Sequence, residues 1–210
     1  MIASPTALAR LKEGNLRFAD DLPSPTTIRN SFRRSELVGG QQPFAIILGC
    51  SDSRVPAEIV FDQGLGDLFV IRVAGNIVAP SQIGSVEYAA EVTGARLVVV
   101  LGHTCCGAVE ATIDQLQRPE SNRSPNLSSI VDRIRPSVET LLETGIAQDR
   151  DALIRYAVRA NIRASVDHLR HGSGVLERLI QEDDLVVVGA EYSLETGVVD
   201  FFDGLPKLES

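Results

Sequence analysis

Four short runs of the chain are apolar almost without interruption: 44–49 (FAIILG), 68–73 (LFVIRV), 97–102 (LVVVLG) and 185–190 (LVVVGA). They are rich in Val, Ile and Leu and lack the polar–apolar alternation of a half-exposed strand. That pattern predicts strands covered on both faces, as in a parallel sheet. A fifth run, 197–202 (GVVDFF), predicts an added edge strand. Between the runs, apolar residues recur at helical spacing over 84–92, 108–116, 129–143, 149–169 and 175–181. Strands alternating with helices predict an α/β fold with a mainly parallel central sheet flanked by helices.

The first helical pattern stands apart. Leu8, Leu11, Asn15 and Phe18 fall at 3-4-3 spacing within 7–20, and Pro5 suits a first helical turn. Two placements fit this helix: against its own core, or, as an N-terminal arm over 1–20, against a partner subunit. The segment 118–125, rich in Pro, Ser and Asn, reads as a surface connection. It does not divide the chain, and 210 residues suit one domain, 1–210.

Composition narrows the function classes. The chain is 44% hydrophobic and 23% charged, ordinary for a globular protein. Acidic residues outnumber basic ones, 28 to 20, for a net charge of -8. Such a balance argues against nucleic acid as a partner, because the phosphate backbone demands a basic face. No apolar run approaches the roughly 18–20 residues of a membrane span. Met1–Arg10 lacks the apolar stretch of a secretory signal. A cytoplasmic protein with no membrane partner is expected. The three cysteines, Cys50, Cys105 and Cys106, are odd in number, and two are adjacent. That is a poor disulfide framework and fits reduced thiols or metal ligands.

Two strand ends carry chemistry. The first run leads into Cys50-Ser51-Asp52-Ser53-Arg54, and the third into His103-Thr104-Cys105-Cys106-Gly107. Ligand sites of open α/β sheets lie beyond the C-terminal ends of strands. Neighbouring strands would therefore deliver Cys50, His103 and Cys106 to one point, with Cys105 as the alternative third ligand. Two thiolates and an imidazole suit zinc, and three protein ligands leave a fourth position open, as catalytic sites require. His168 and His171, one helical turn apart, read as a solvated helix face, and Gly64-Leu65-Gly66 lacks the third glycine of a dinucleotide loop.

Cys-Ser-Asp-Ser-Arg followed by Gly-His-x-x-Cys-Gly resembles the signature of the β-class carbonic anhydrases, in their plant-like subgroup. The likeness extends to 7–18 (ALARLKEGNLRF), 55–58 (VPAE), 69–72 (FVIR) and 85–89 (SVEYA). The resemblance implies one Zn²⁺ per chain on Cys50, His103 and Cys106, with Asp52 and Arg54 as the catalytic dyad. It also implies a substrate pocket of Gln41, Phe69, Tyr88 and Gly107, one of the two aromatics crossing a dimer interface. The implied reaction is reversible hydration of carbon dioxide to bicarbonate and a proton by zinc-activated hydroxide. The implied assembly is a homodimer or a dimer of dimers, with the N-terminal arm packed on the partner.

Residue chemistry fits these roles. Two thiolates and a neutral imidazole cancel the charge of Zn²⁺, so bound water is acidified less than at an all-imidazole site. Asp52 can accept a hydrogen bond from the hydroxide and aim its lone pair, while a bidentate Arg54 keeps the carboxylate off the metal. Gln41 offers an amide N–H to a substrate oxygen, and Phe69 and Tyr88 an apolar wall. In bicarbonate-regulated members a tryptophan stands three residues before the first cysteine. Here that position is Ile47, with Arg72 and Tyr192 at the companion positions, so an open resting site is expected. Two other readings share the ligand set: a carbonyl sulfide or carbon disulfide hydrolase, and a non-catalytic zinc module. The dyad argues against the second.

Overall fold

The computed structural model describes residues 2–22, 31–118 and 124–205. In chain order the elements are α1 (Ser4–Ala19), α2 (Ser31–Glu36), β1 (Ala45–Gly49), α3 (Ala57–Val60), β2 (Leu68–Arg72) and α4 (Pro80–Tyr88). There follow β3 (Leu97–His103), α5 (Gly107–Gln117), α6 (Pro125–Leu142), α7 (Arg150–His171), α8 (Gly174–Glu182), β4 (Val186–Tyr192) and β5 (Val199–Asp203). The strands form one sheet in the order β2-β1-β3-β4-β5. The first four are parallel, and β5 returns antiparallel to β4.

The continuous apolar runs are explained by what covers the sheet. Side chains alternate between faces along a strand. Ile46, Leu48, Val98 and Val100 therefore join Ile113, Ile134, Ile162 and Leu176 of the helices on one face. Ala45, Ile47, Leu97, Val99 and Leu101 meet Ala7, Leu8, Leu11, Val60 and Phe61 on the other. Every position of β1 and β3 is buried.

Helix starts differ from the periodicity because caps set them. Helix α6 begins at Pro125, ahead of the apolar pattern, because the Ser124 side chain accepts the Asn126 N–H. The connection expected over 118–125 falls largely on 119–123, outside the described residues. Asp149 and Ser173 cap α7 and α8 in the same way. Helix α4 also starts early, at a proline, and runs into a π-helical turn, Ala89–Thr93, closed by left-handed Gly94.

Helix α1 packs its apolar face on its own sheet, the first of the two placements that fit its pattern. Ala7 and Leu11 are fully buried in the chain's own core. Burial of one leucine such as Leu11 stabilises by about 1.5–3 kcal/mol. Asn15, counted among the inward positions, is a buried polar group with its amide fully used. It donates to the carbonyls of Val60 and Gly197 and accepts from the Val199 N–H. Gly14 lets the helix approach so closely that a Cβ there would overlap the Phe61 carbonyl. No described helix is long and apolar enough to cross a membrane.

Candidate metal centre

Strands β1 and β3 are parallel neighbours, with Gly49 opposite Leu101. Their C-terminal ends therefore bring Cys50, the residue after β1, beside His103, the last of β3. Cys106 follows as the N-cap residue of α5. The ligand atoms of Cys50, His103 and Cys106 all lie within 4.8 Å of one another, and all three residues are buried. Cys105 has a left-handed backbone, φ 54°, and stands exposed while Cys106 is buried, so the register favours Cys106 as the third ligand.

The donor set fits a metal ion. The Nδ1 of His103 lies 2.9 Å from the Thr104 carbonyl, an acceptor. The proton therefore belongs on Nδ1, and Nε2 presents its lone pair. That Nε2 is buried and has no hydrogen-bond partner among the described residues, although it faces two thiols. Thr104 is itself anchored: its N–H donates to the Tyr192 carbonyl and its hydroxyl accepts the Leu194 N–H.

Electrostatics distinguish the two thiols. Hydrogen bonding from Cys106 outweighs burial and, with His103 and nearby main-chain N–H groups, lowers the Cys50 pKa to about 4. The same contact and burial push the Cys106 thiol up. Burial opposes protonation of His103, but the nearby Cys50 sulfur and its charge prevail and raise its pKa.

Beside the cluster, Arg54 holds Asp52 with two parallel bonds, Nε to Oδ1 at 2.9 Å and Nη2 to Oδ2 at 2.7 Å. The Arg54 N–H adds a third, at 3.0 Å. These charge-assisted bonds hold the Asp52 carboxyl well below the usual carboxylate range. Its Oδ2 is 3.8 Å from His103 Nε2, alongside the cluster.

The other expected positions divide. Gly107 opens α5 beside Cys106, with nothing within 4 Å of where a Cβ would stand. Phe69 and Tyr88 are not brought to the cluster of their own chain. Phe69 pairs with Ile46, four residues before Cys50. At roughly 3.3 Å per residue this lies about 13 Å back along the strand. Its ring packs on that of Tyr88, 6.1 Å between centroids. The two aromatics thus pack as a pair within the chain. Gln41 is exposed four residues before β1 and makes no hydrogen bond to the cluster among the described residues.

Of the three positions compared with the regulatory pocket, Ile47 and Tyr192 are buried on one face of the sheet. Arg72 donates to the carbonyls of Cys50 at 3.0 Å and Asp52 at 2.6 Å, strapping the metal loop. Sequence reasoning missed Gly75, whose N–H donates to Cys50 Sγ at 3.3 Å. Its signal was the Gly75-Asn76 pair just past a strand end, a turn dipeptide at the sheet edge that holds the ligands.

Residues 45–199, more than half of the chain, match the family model described as carbonic anhydrase. Carbonic anhydrase 2 of Mycobacterium tuberculosis is 38% identical over 191 residues, covering 89% of this chain and 87% of that protein. The β-carbonic anhydrase CafA of Aspergillus fumigatus superposes with a TM-score of 0.74 at 25% identity, covering 97% of this chain and 92% of that one. The tetrameric β-carbonic anhydrases of Sordaria macrospora share the fold at a TM-score of 0.72 and 24% identity, over 82% of this chain and 87% of that one. With a family match spanning the whole sheet up to the start of β5, and a relative well above 30% identity over most of its length, the chain belongs to the β-class carbonic anhydrases.

Proposed function

We propose that the chain catalyses the reversible hydration of carbon dioxide to bicarbonate and a proton, with one zinc ion on Cys50, His103 and Cys106. The observation that carries this reading is the buried, unpartnered His103 Nε2 facing two thiols, with the Arg54-held carboxylate of Asp52 3.8 Å away. Zinc at such a site supplies Lewis acidity that makes a water molecule nucleophilic near neutral pH.

The chain's own residues do the rest. Asp52 accepts a hydrogen bond from the attacking water and so aims its lone pair at the carbon of the substrate. Arg54 occupies both carboxylate oxygens from the side, which keeps Asp52 an orienting group and stops it from capping the metal position. The open space in front of Gly107 gives a small linear molecule room to approach.

The pocket is completed, in this reading, by a second copy of the chain. Phe69 lies too far back along the sheet to serve its own cluster, the exposed Tyr88 packs on it, and Gln41 is exposed ahead of β1. Strand β2 forms one border of the sheet among the described residues, and a border strand suits pairing with a second copy. A homodimer or a dimer of dimers supplies the aromatic wall and the Gln41 amide together. One sheet covered on both faces supports a single domain over 1–210. Three unpaired thiols suit a reducing, cytoplasmic setting.

The test is carbon dioxide hydration by stopped flow, with zinc determined on the same sample. Turnover that scales with zinc content is expected. A sample with full zinc that hydrates carbon dioxide no faster than buffer, yet cleaves carbonyl sulfide or carbon disulfide, would replace this reading with the hydrolase.

A further inference from the structure

Helix α7 is buried against the sheet, yet it carries two buried polar residues one turn apart, Asn161 and Ser165. Residues at i and i+4 share a helix face. Asn161 Nδ2 donates to the Gly75 carbonyl at 2.8 Å, and Ser165 Oγ to the Asn76 carbonyl at 3.0 Å. The two side chains thus grip consecutive carbonyls of the turn Ala74–Asn76. Both gripped residues are left-handed, Gly75 with φ 69° and Asn76 with φ 43°. On its other side the turn points the Gly75 N–H at Cys50 Sγ, 3.3 Å away.

The turn has little freedom to relax. A Cβ on Gly75 would stand 2.7 Å from Ile134 Cδ1 of α6 and 3.1 Å from Ala108 Cβ of α5. A non-glycine side chain is also disfavoured at that φ. A buried carbonyl deprived of its donor is costly to leave unpaired, so losing Asn161 would reorient the peptide toward another partner. The preceding peptide, which carries the Gly75 N–H, joins it at the Gly75 Cα, where glycine gives little resistance to rotation, so the N–H would lose its aim at Cys50 Sγ.

We infer that Asn161, seconded by Ser165, is a positioning residue for the metal centre: it fixes the Gly75 turn so that its N–H supports the Cys50 thiolate. The inference rests on the reading of Cys50 as a zinc ligand. Groups that hydrogen-bond to metal ligands tune affinity by roughly 10- to 100-fold. Asn161 reaches the ligand through one residue, Gly75, and stands one step behind such groups.

The experiment compares the zinc protein with Asn161→Leu, Ser165→Ala, Val166→Ala and Cys50→Ser. Val166 is a fully buried packing residue of the same helix and serves as the control for simple destabilisation. Zinc affinity is read by competition with a chromophoric chelator, and ligand geometry by the thiolate-to-cobalt charge-transfer band after Co²⁺ substitution. Asn161→Leu should weaken zinc binding about 10-fold or more and shift the band, with Ser165→Ala moving both in the same direction by less. Val166→Ala should leave both unchanged. Zinc binding and band unaltered in Asn161→Leu and Ser165→Ala overturn the inference, as does an equal loss in Val166→Ala. If Asn161→Leu does not fold, Ser165→Ala decides by the same two readouts. Cys50→Ser separates the levels: full zinc affinity there overturns the ligand reading itself, whereas zinc loss there with none in Asn161→Leu overturns only the positioning role.

Discussion

Arg54 holds both carboxylate oxygens of Asp52, at 2.9 and 2.7 Å, and its Nη2 also reaches the Cys105 carbonyl at 3.3 Å. One guanidinium therefore ties the loop after β1 to the loop after β3, across the mouth of the candidate metal centre. Asp52→Asn should lower hydration turnover by 100-fold or more, on the order of a lost general-base or orienting group, with zinc retained. Near-normal turnover in zinc-loaded Asp52→Asn would remove the dyad from the mechanism.

The two adjacent cysteines should behave oppositely. Cys106 is buried in the cluster, while Cys105 is exposed outside it. Cys106→Ser should lose zinc and activity, and Cys105→Ser should keep most of both. Metal analysis after gel filtration decides it, and equal losses in the two variants would contradict the ligand set.

The pH dependence separates Asp52 from the activating group. The folded pKa of Asp52 is depressed. Its pairing energy is therefore fully present above the unfolded value of about 3.9, and it is lost as pH falls through the folded value. Asp52 thus stays ionised across the working range. Hydration should still rise from about pH 6 to 9, because the uncharged thiolate-rich site leaves the activated water only weakly acidified. A ¹³C carboxyl titration should show no Asp52 inflection above about pH 4; an inflection near the activity midpoint would make Asp52 the titrating group.

Bicarbonate should inhibit without cooperativity. Ile47 lies in the middle of β1, fully buried, where the regulated subgroup has an indole, and Arg72 is held by the metal loop. A ligand shifts a conformational equilibrium only through its differential affinity for the two states, and this site lacks the indole wall and donor. Sigmoidal inhibition curves, or Asp52 coordinated to zinc in a crystal near pH 7.5, would count against this.

Gly14→Ala should destabilise the protein although it raises helix propensity. Alanine gains about 1 kcal/mol over glycine in a helix interior. Here the added Cβ overlaps the Phe61 carbonyl and stands 2.8 Å from Gln63 Nε2. Overpacking of this kind costs about 1–3 kcal/mol, and rigid backbone places it at the upper end. Thermal melting of the zinc protein should show a lower Tm, and a raised Tm would show that α1 is not held where the structure has it.

Sequence by itself determined the strands, because burial on both faces leaves runs with no polar alternation. It also marked the candidate metal ligands and the Asp52–Arg54 pair as motifs at two strand ends, since a chain that leaves β1 or β3 must present its next few residues at that edge. Helix starts at Pro80 and Pro125 escaped the periodicity because caps and prolines, not apolar spacing, set them. Which of two adjacent thiols turns inward was decided by a left-handed backbone at Cys105, a tertiary constraint invisible to spacing. Tertiary structure alone also put α1 on its own sheet, joined Phe69 to Tyr88, and set Asn161 behind the Gly75 turn. Each of these unites residues distant in sequence, and such contacts follow from strand order and helix placement, which local pattern does not encode.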